Sequence, residues 1–250
     1  VTDERDEWMT RFVESKWKKT VAIVQNKQLV RHVPETARLT KESLKRLIGR
    51  YGMVYVKPEI GMWGRGVMRV EKTDLGFKYQ LDQHIRKFTS FSAMYESLRL
   101  ATKGKRYLVQ RGVHLLKHKG KRFDLRVMVQ LSPAQKWETT GIIGRVAAPR
   151  RIVTNFHNGG QIVTAEKLLA PHVRNIAGKL NALSEIGELA ARTMGKRFPG
   201  VAKIGLDVAL DGQTRPWILE VNTCPDLTIF RKHPDPSVYR KMRRYNRASQ

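Results

Sequence analysis

Ile204-Gly-Leu-Asp-Val-Ala-Leu210 and Pro216-Trp-Ile-Leu-Glu-Val-Asn222 are two apolar runs joined by Asp211-Gly-Gln-Thr-Arg215, and both are interrupted by acids. Asp-Gly between apolar runs signals a hairpin, and the five-residue connection suits a short loop or a bulged turn. Side chains alternate along a strand, so Glu220 and Asn222 share one face while Leu219 and Val221 share the other. Pairing of the strands brings Asp207 to the face of Glu220 and Asn222. Three hard oxygen donors of this kind suit Mg²⁺ or Mn²⁺ better than zinc. The same acids are also compatible with an exposed sheet face, or with pairing to arginine.

Composition bounds the class. The chain has 250 residues, 41% hydrophobic, with 8 Phe, 7 Tyr and 5 Trp, enough to bury a full core as one large domain or two small ones. No apolar run reaches the roughly 18 residues of a membrane helix, and Val1 to Glu7 has no signal-peptide pattern. Cys224 is the single cysteine, which excludes an intrachain disulfide and makes a cytoplasmic location the default expectation. Lys and Arg number 48 against 22 acids, a formal net charge of +26 spread along the whole length. Such a surface attracts polyanions, whether nucleic acid, nucleotides, acidic peptides or cell-wall material, and is also compatible with a merely solvated basic exterior.

Patterning places the other elements. Residues 3–19 read as a helix using Trp8, Phe12, Ser15 and Lys16. Thr40 caps a helix ended by Gly52, and Ser90 caps another running to about Ala101. Strands are expected at 53–57, 66–70, 77–81, 84–88, 106–110, 123–131 and 138–147. A long helix over 171–194 uses Val173, Ile176, Leu180, Leu183, Ile186 and Leu189 and ends at Gly195. The last twenty residues read as a short helix or a loose tail. This order predicts an α+β protein with antiparallel sheets backed by helices.

Three further segments carry chemistry. In Tyr55-Val-Lys-Pro-Glu-Ile-Gly-Met-Trp-Gly-Arg-Gly-Val67, a strand ending in Lys57 enters a loop with Gly61, Gly64 and Gly66, followed by a second strand. Glycines let backbone N–H groups approach an anion while the lysine supplies a point charge, although an ordinary hairpin loop explains the glycines equally well. In Phe123-Asp-Leu-Arg-Val-Met-Val-Gln130, strict alternation puts Asp124, Arg126, Met128 and Gln130 on one face. Arg126 there suits a phosphate or carboxylate with Asp124 orienting its fork, and a cross-strand ion pair is the plain alternative. Arg145 and Val153-Thr-Asn-Phe-His-Asn-Gly-Gly160 form a third group, a loop suited to binding an anion, in which His157 reads as a surface or packing residue.

Taken in order, Val56-Lys-Pro with its glycine loop, Asp124-x-Arg126, Thr154-Asn-x-x-x-Gly-Gly160, Asp207 and Glu220-x-Asn222 resemble the ATP-grasp superfamily from about Ser15 to Thr228. Ser15-Lys-Trp-Lys, His32-Val-Pro-Glu-Thr36, Val56-Lys-Pro and Val153-Thr-Asn look most like its endospore coat-associated YheC/YheD group. The resemblance implies ATP held between two α+β halves, with Lys57 and Lys16 on its phosphates. It implies that Gln110, Arg111, Gly112 and Val113 meet adenine through their backbone, and that Gly61, Gly64, Gly66, Asp124 and Asn155 complete the nucleotide contacts. Asp207, Glu220 and Asn222 match the magnesium ligands, while Arg126 and Arg145 match groups near the transferred phosphate and join Lys57 as the catalytic set.

Four segments follow: a reduced N-terminal region at 1–52, a first subdomain with the phosphate loop at 53–105, a second with the metal site at 106–230, and a basic tail at 231–250. Since 56 residues precede Lys57, the domain that ordinarily helps bind the acceptor is expected to be reduced or absent. The implied activity is an Mg-ATP-dependent carboxylate–amine ligase acting on an acidic or polyanionic acceptor, associated with the spore coat. Kinase-like phosphoryl transfer and a non-catalytic nucleotide- or polyanion-binding coat protein are the alternatives, and nucleic acid is a permitted but unfavoured partner.

Overall fold

The computed structural model describes residues 12–154 and 159–248. Two antiparallel sheets, each backed by helices, form the α+β architecture expected of the sequence. The first contains β1 (Thr36–Arg38), β2 (Met53–Pro58), β3 (Met68–Thr73), β4 (Gly76–Leu81), β5 (His84–Phe88) and β6 (Tyr107–Arg111) in the order β1-β6-β2-β3-β4-β5. It draws β1 from before residue 52 and β6 from after residue 105, so its strands cross both sequence boundaries. The second contains β8 (Lys121–Leu131), β9 (Trp137–Val146), β10 (Gln161–Thr164), β11 (Lys203–Leu210) and β12 (Pro216–Asn222) in the order β10-β9-β8-β11-β12, with the short β7 (Lys117–His118) paired to β8.

Helix α1 spans Lys16–Val24, α2 Lys41–Tyr51 and α3 Phe91–Thr102. Leu44, Leu47 and Ile48 of α2 and Met94 and Leu98 of α3 cover Val54, Val56, Met68 and Val70 of the first sheet. The limits of α2 follow local chemistry: Thr40 and Ser43 form a reciprocal capping box, and Gly52 adopts φ 69°, the left-handed conformation that glycine enters at little cost. Helix α4 spans Ala165–Leu169 and α5 Ile176–Arg197. Leu183, Ala190, Ala191 and Met194 of α5 pack with Leu125, Val127 and Val129 of β8 in the larger core.

The strand expected at 66–70 lies at 68–73 as β3, and three helical expectations also change. Ser15 accepts a hydrogen bond from the Lys18 N–H and so caps α1 instead of lying inside a helix over 3–19; residues 1–11, with Trp8, are outside the described residues. Asn175 caps α5, excluding 171–175 from it, and the helix runs through Gly195 to Arg197. Gly195 is there for packing: a Cβ would lie 2.9 Å from Trp137 Cζ2. The C-terminal stretch forms an ordered helix, α6 (Pro236–Ala248), with Met242 buried beside Met128, Ile143 and Phe230. Among the described residues no helix is long and apolar enough to cross a membrane.

Candidate functional site

The 11 residues of β8 explain how a cavity lies against a packed core. Phe123, Leu125, Val127 and Val129 face the core helices. On the opposite face Asp124 and Arg126 line a cavity of about 340 Å³, while Met128 and Gln130 are covered by α6, whose Met242 carbonyl accepts from Gln130. The remaining walls come from α1, β2 with its glycine loop, β6, β9 and the β11–β12 hairpin.

The hairpin forms as its sequence indicates. Asp207 lies opposite Glu220 and Gly205 opposite Asn222, and all three polar side chains line the cavity. A bulge leaves Leu219 unmatched in the register, and its carbonyl accepts from Lys57 Nζ at 3.4 Å. Among the described residues no three His, Cys, Asp or Glu converge as a metal cluster, so the candidate donor set is two carboxylates and one amide.

Arginine holds the acids in a closed arrangement. Asp207 lies opposite Arg126 and accepts from its Nε at 2.6 Å; Arg145 Nη2 lies 2.9 Å from the other Asp207 oxygen. Arg145 in turn gives Asp124 a two-pronged contact at 2.8 and 2.6 Å, and the Thr154 hydroxyl donates to Asp124 at 2.6 Å. The fork that Asp124 orients therefore belongs to Arg145, its partner across β9, and not to Arg126 as the sequence suggested. Burial alone would raise the Asp207 pKa, but Arg126 and Arg145 hold it down to about 2. Burial would lower the Arg145 pKa, but Asp124 and Asp207 raise it above the ordinary arginine value.

Three lysines line the same cavity. Lys16 Nζ donates to the Gly61 carbonyl at 2.6 Å and lies 3.5 Å from Glu220, while its own N–H donates to the Glu59 carbonyl. Lys57 donates to Gln110 Oε1 at 2.6 Å. Lys19, one turn beyond Lys16 on α1, is only 5% exposed. Burial pushes both Lys57 and Lys19 down to about 8, partly offset by Glu220 and reinforced by Lys16. Lys19 was not singled out from sequence, although its i, i+3 spacing from Lys16 places both on one face of α1. Thr154 was quoted only as part of a motif. Buried Glu59 was also overlooked: it accepts from Ser15 Oγ at 2.6 Å, anchoring the start of α1 to the end of β2.

Of the other residues singled out, Gly61, Gly64, Gln110, Arg111 and Val113 line the cavity, whereas Gly66 and Gly112 do not. Gly66 has φ 74° and packs against the Tyr107 hydroxyl; Gly112 packs against Met53 and donates to its carbonyl. The Arg111 N–H is spent on the Glu35 carbonyl. Asn155 and His157 are outside the described residues.

The model for YheC/D like ATP-grasp proteins matches residues 5–247. The chain belongs to this family. Its relatives include the endospore coat-associated proteins YheD and YheC of Bacillus subtilis (strain 168), 26% identical over 235 residues and 21% identical over 239 residues. These matches cover 91% and 92% of this chain but 51% and 65% of the relatives, so the chain spans about half to two thirds of their length. The crystal structure of D-cycloserine synthetase DcsG shares the fold at a TM-score of 0.56 and 14% identity, covering 95% of this chain and 71% of that one. The YheC/D-like ATP-grasp chain thus shares its two-sheet α+β fold with a solved structure of low sequence identity.

Proposed function

We propose that this chain carries an Mg-ATP-dependent ligase site that joins a carboxylate to an amine. One observation carries the reading: Lys16, Lys57 and the glycine loop line a single cavity together with Asp207, Glu220 and Asn222. In the proposed reaction a substrate carboxylate oxygen attacks the γ-phosphorus of ATP, giving an acylphosphate and ADP. The amine then attacks the acyl carbon, forming the amide and releasing inorganic phosphate and a proton. Lys57 and Lys16 hold phosphate oxygens, Arg126 and Arg145 stabilise charge at the transferred group, and the Val113 N–H and Arg111 carbonyl are offered to adenine.

The donor chemistry fits magnesium. Asp207, Glu220 and Asn222 supply only oxygen ligands; each Asp207 oxygen that accepts from arginine retains a further lone pair, and Asn222 uses only its NH₂ group, toward the Gly205 carbonyl at 3.5 Å. When bound, the ion would neutralise phosphate charge during transfer. Gly61 and Gly64 would cover the phosphates, and Asp124 would act by positioning Arg145. We assign the first subdomain to about 36–111, the second to about 116–230 and the basic segment to 231–250. The names of the Bacillus relatives support a coat-associated role, and the net charge of +26 supports an acidic acceptor.

Nucleotide binding without turnover is the second reading, favoured by the two arginines that occupy Asp207. Incubation with Mg-ATP, candidate acids and candidate amines, following ADP and product mass, separates them. An amide product supports the ligase, a stable phosphate ester supports kinase-like transfer, and bound ATP with no ADP supports the second reading.

A further inference from the structure

Helix α6 presents four arginines in one stripe. At 100° per residue, Arg240, Arg243, Arg244 and Arg247 occupy an arc of about 100°, and all four are exposed. The opposite side is fixed to the second sheet: Met242 and Tyr245 are buried, and Tyr245 donates to Glu138 at 2.7 Å. Two acids beside this helix have other partners, and Asp235 also lies within electrostatic reach of Arg240. Glu138 accepts from Tyr245 and pairs with Lys241 at 3.2 Å, while Asp235 accepts from the Ser237 N–H and hydroxyl. Among the described residues no carboxylate forms an ion pair with Arg240, Arg243, Arg244 or Arg247.

Helix α6 adjoins the proposed catalytic cavity through its buried side, and the stripe lies on the side turned away from the sheet. Arg126 lines that cavity, and Met128, the next residue on the same face of β8, lies under α6; one such step is about 7 Å. The chain leading into the helix joins the two regions, because Asp226 and Ile229 line the cavity and Ile229 and Phe230 pack with Met242. Arg231 is exposed on the same turn.

We infer that the outer face of α6 is the docking surface for the acceptor, and that the acceptor is an extended acidic peptide or peptide-like polymer. Carboxylates on one face of an extended chain recur about every 7 Å, so the rise of about 10.5 Å from Arg240 to Arg247 spans about two of them. The planar guanidinium matches carboxylates with two parallel hydrogen bonds. Single-stranded nucleic acid is less well served: Tyr245 faces inward, Tyr239 is half-buried, and the stripe carries no exposed aromatic on which a base could stack. The inference rests on the ligase reading for the identity of the docked molecule, but its test does not require turnover.

Fluorescently labelled oligo-glutamate, titrated without ATP at low and high salt, provides that test. The variant with Arg240→Gln, Arg243→Gln, Arg244→Gln and Arg247→Gln should bind it at least about tenfold more weakly, with a flatter salt dependence, as expected from losing several exposed charge contacts. Replacement of the same four by lysine should retain most of the affinity, and ADP formation with a small carboxylate should be unchanged in both. Undiminished binding by the glutamine variant, equal loss in the lysine variant, or no binding by the unaltered protein would overturn the inference. Tighter binding of a single-stranded oligonucleotide, lost in the same glutamine variant, would assign the stripe to nucleic acid instead. Absence of ADP formation alongside intact peptide docking would refute the ligase reading and leave the surface in place.

Discussion

Arg126 on β8 and Asp207 on β11 lie directly opposite one another, with Nε 2.6 Å from the carboxylate oxygen, both less than one tenth exposed. Arg145 contacts the second oxygen. Removal of this carboxylate leaves two buried cations short of a partner, and breaking a buried pair in this way costs about 3–5 kcal/mol. Asp207→Ala should therefore lower the urea unfolding free energy by about that amount, whereas Asp207→Asn should lose less because it retains shape and an acceptor. Equal stability of Asp207→Ala and the unaltered protein would show that the arginines do not depend on Asp207.

Acid should reveal the same contact. The folded Asp207 pKa lies near 2, below the ordinary 3.8, so its ionised form favours the folded state. That contribution is complete above about pH 4 and is lost as pH falls toward 2. In Asp207→Asn the fall in stability across this window should be shallower, as measured by urea midpoints at successive pH values. Parallel curves for the two proteins would contradict the contribution.

Lys57 and Lys19 give the opposite sign. Their folded pKa values, near 8, lie below the ordinary 10.5 because burial penalises the ammonium. Below pH 8 that penalty is fully present, and stability of the nucleotide-free protein should rise as pH passes from about 8 to 10.5. Phosphate favours the charged lysine, so ATP binding near pH 8 should take up protons. Calorimetry in buffers of different ionisation enthalpy measures this uptake; Lys19→Gln and Lys57→Gln should each reduce it. Proton release, or no exchange, would show that Lys57 does not meet the phosphates and that Lys19 does not respond to them.

Arg111 is held between two rings, 4.9 Å from the Tyr51 centroid and 4.7 Å from that of Trp217. Tyr51 ends α2 on the first sheet and Trp217 lies in β12 of the second, so one guanidinium ties the two units together beside the cavity. At about 0.5–1 kcal/mol for each partly exposed contact, Arg111→Ala should cost about 1–2 kcal/mol. Amide hydrogen exchange should accelerate at both the end of α2 and β12. Acceleration confined to β6 would mean that Arg111 does not couple the units.

Much of this fold was legible because local signals agreed with the final packing. The β11–β12 hairpin follows its alternation and Asp-Gly turn, and α2 follows Thr40 and Gly52. What was hidden depends on register. The sequence places Asp124 and Arg126 on one face of β8, but only the alignment with β9 and β11 sets Asp124 opposite Arg145 and Arg126 opposite Asp207. Gly195 resembled a helix terminator because nothing local reveals that Trp137 occupies the space of its side chain. Lys19 was lost among 48 basic residues, since its burial is a product of how α1 packs.

In the proposed ATP site Glu220, Asn222 and Asp207 hold the metal and Lys57 and Lys16 complete the phosphate contacts. The most direct test is ADP formation from Mg-ATP, with acids and amines supplied, by the unaltered protein and by Glu220→Gln, in which the half-buried carboxylate becomes an amide of the same shape. Mg-dependent ADP formation is expected in the unaltered protein and a loss of at least about a hundredfold in Glu220→Gln, of the size expected when charge stabilisation at the transferred phosphate is removed, with its urea midpoint retained. Equal ADP formation by the two proteins would contradict the proposed site.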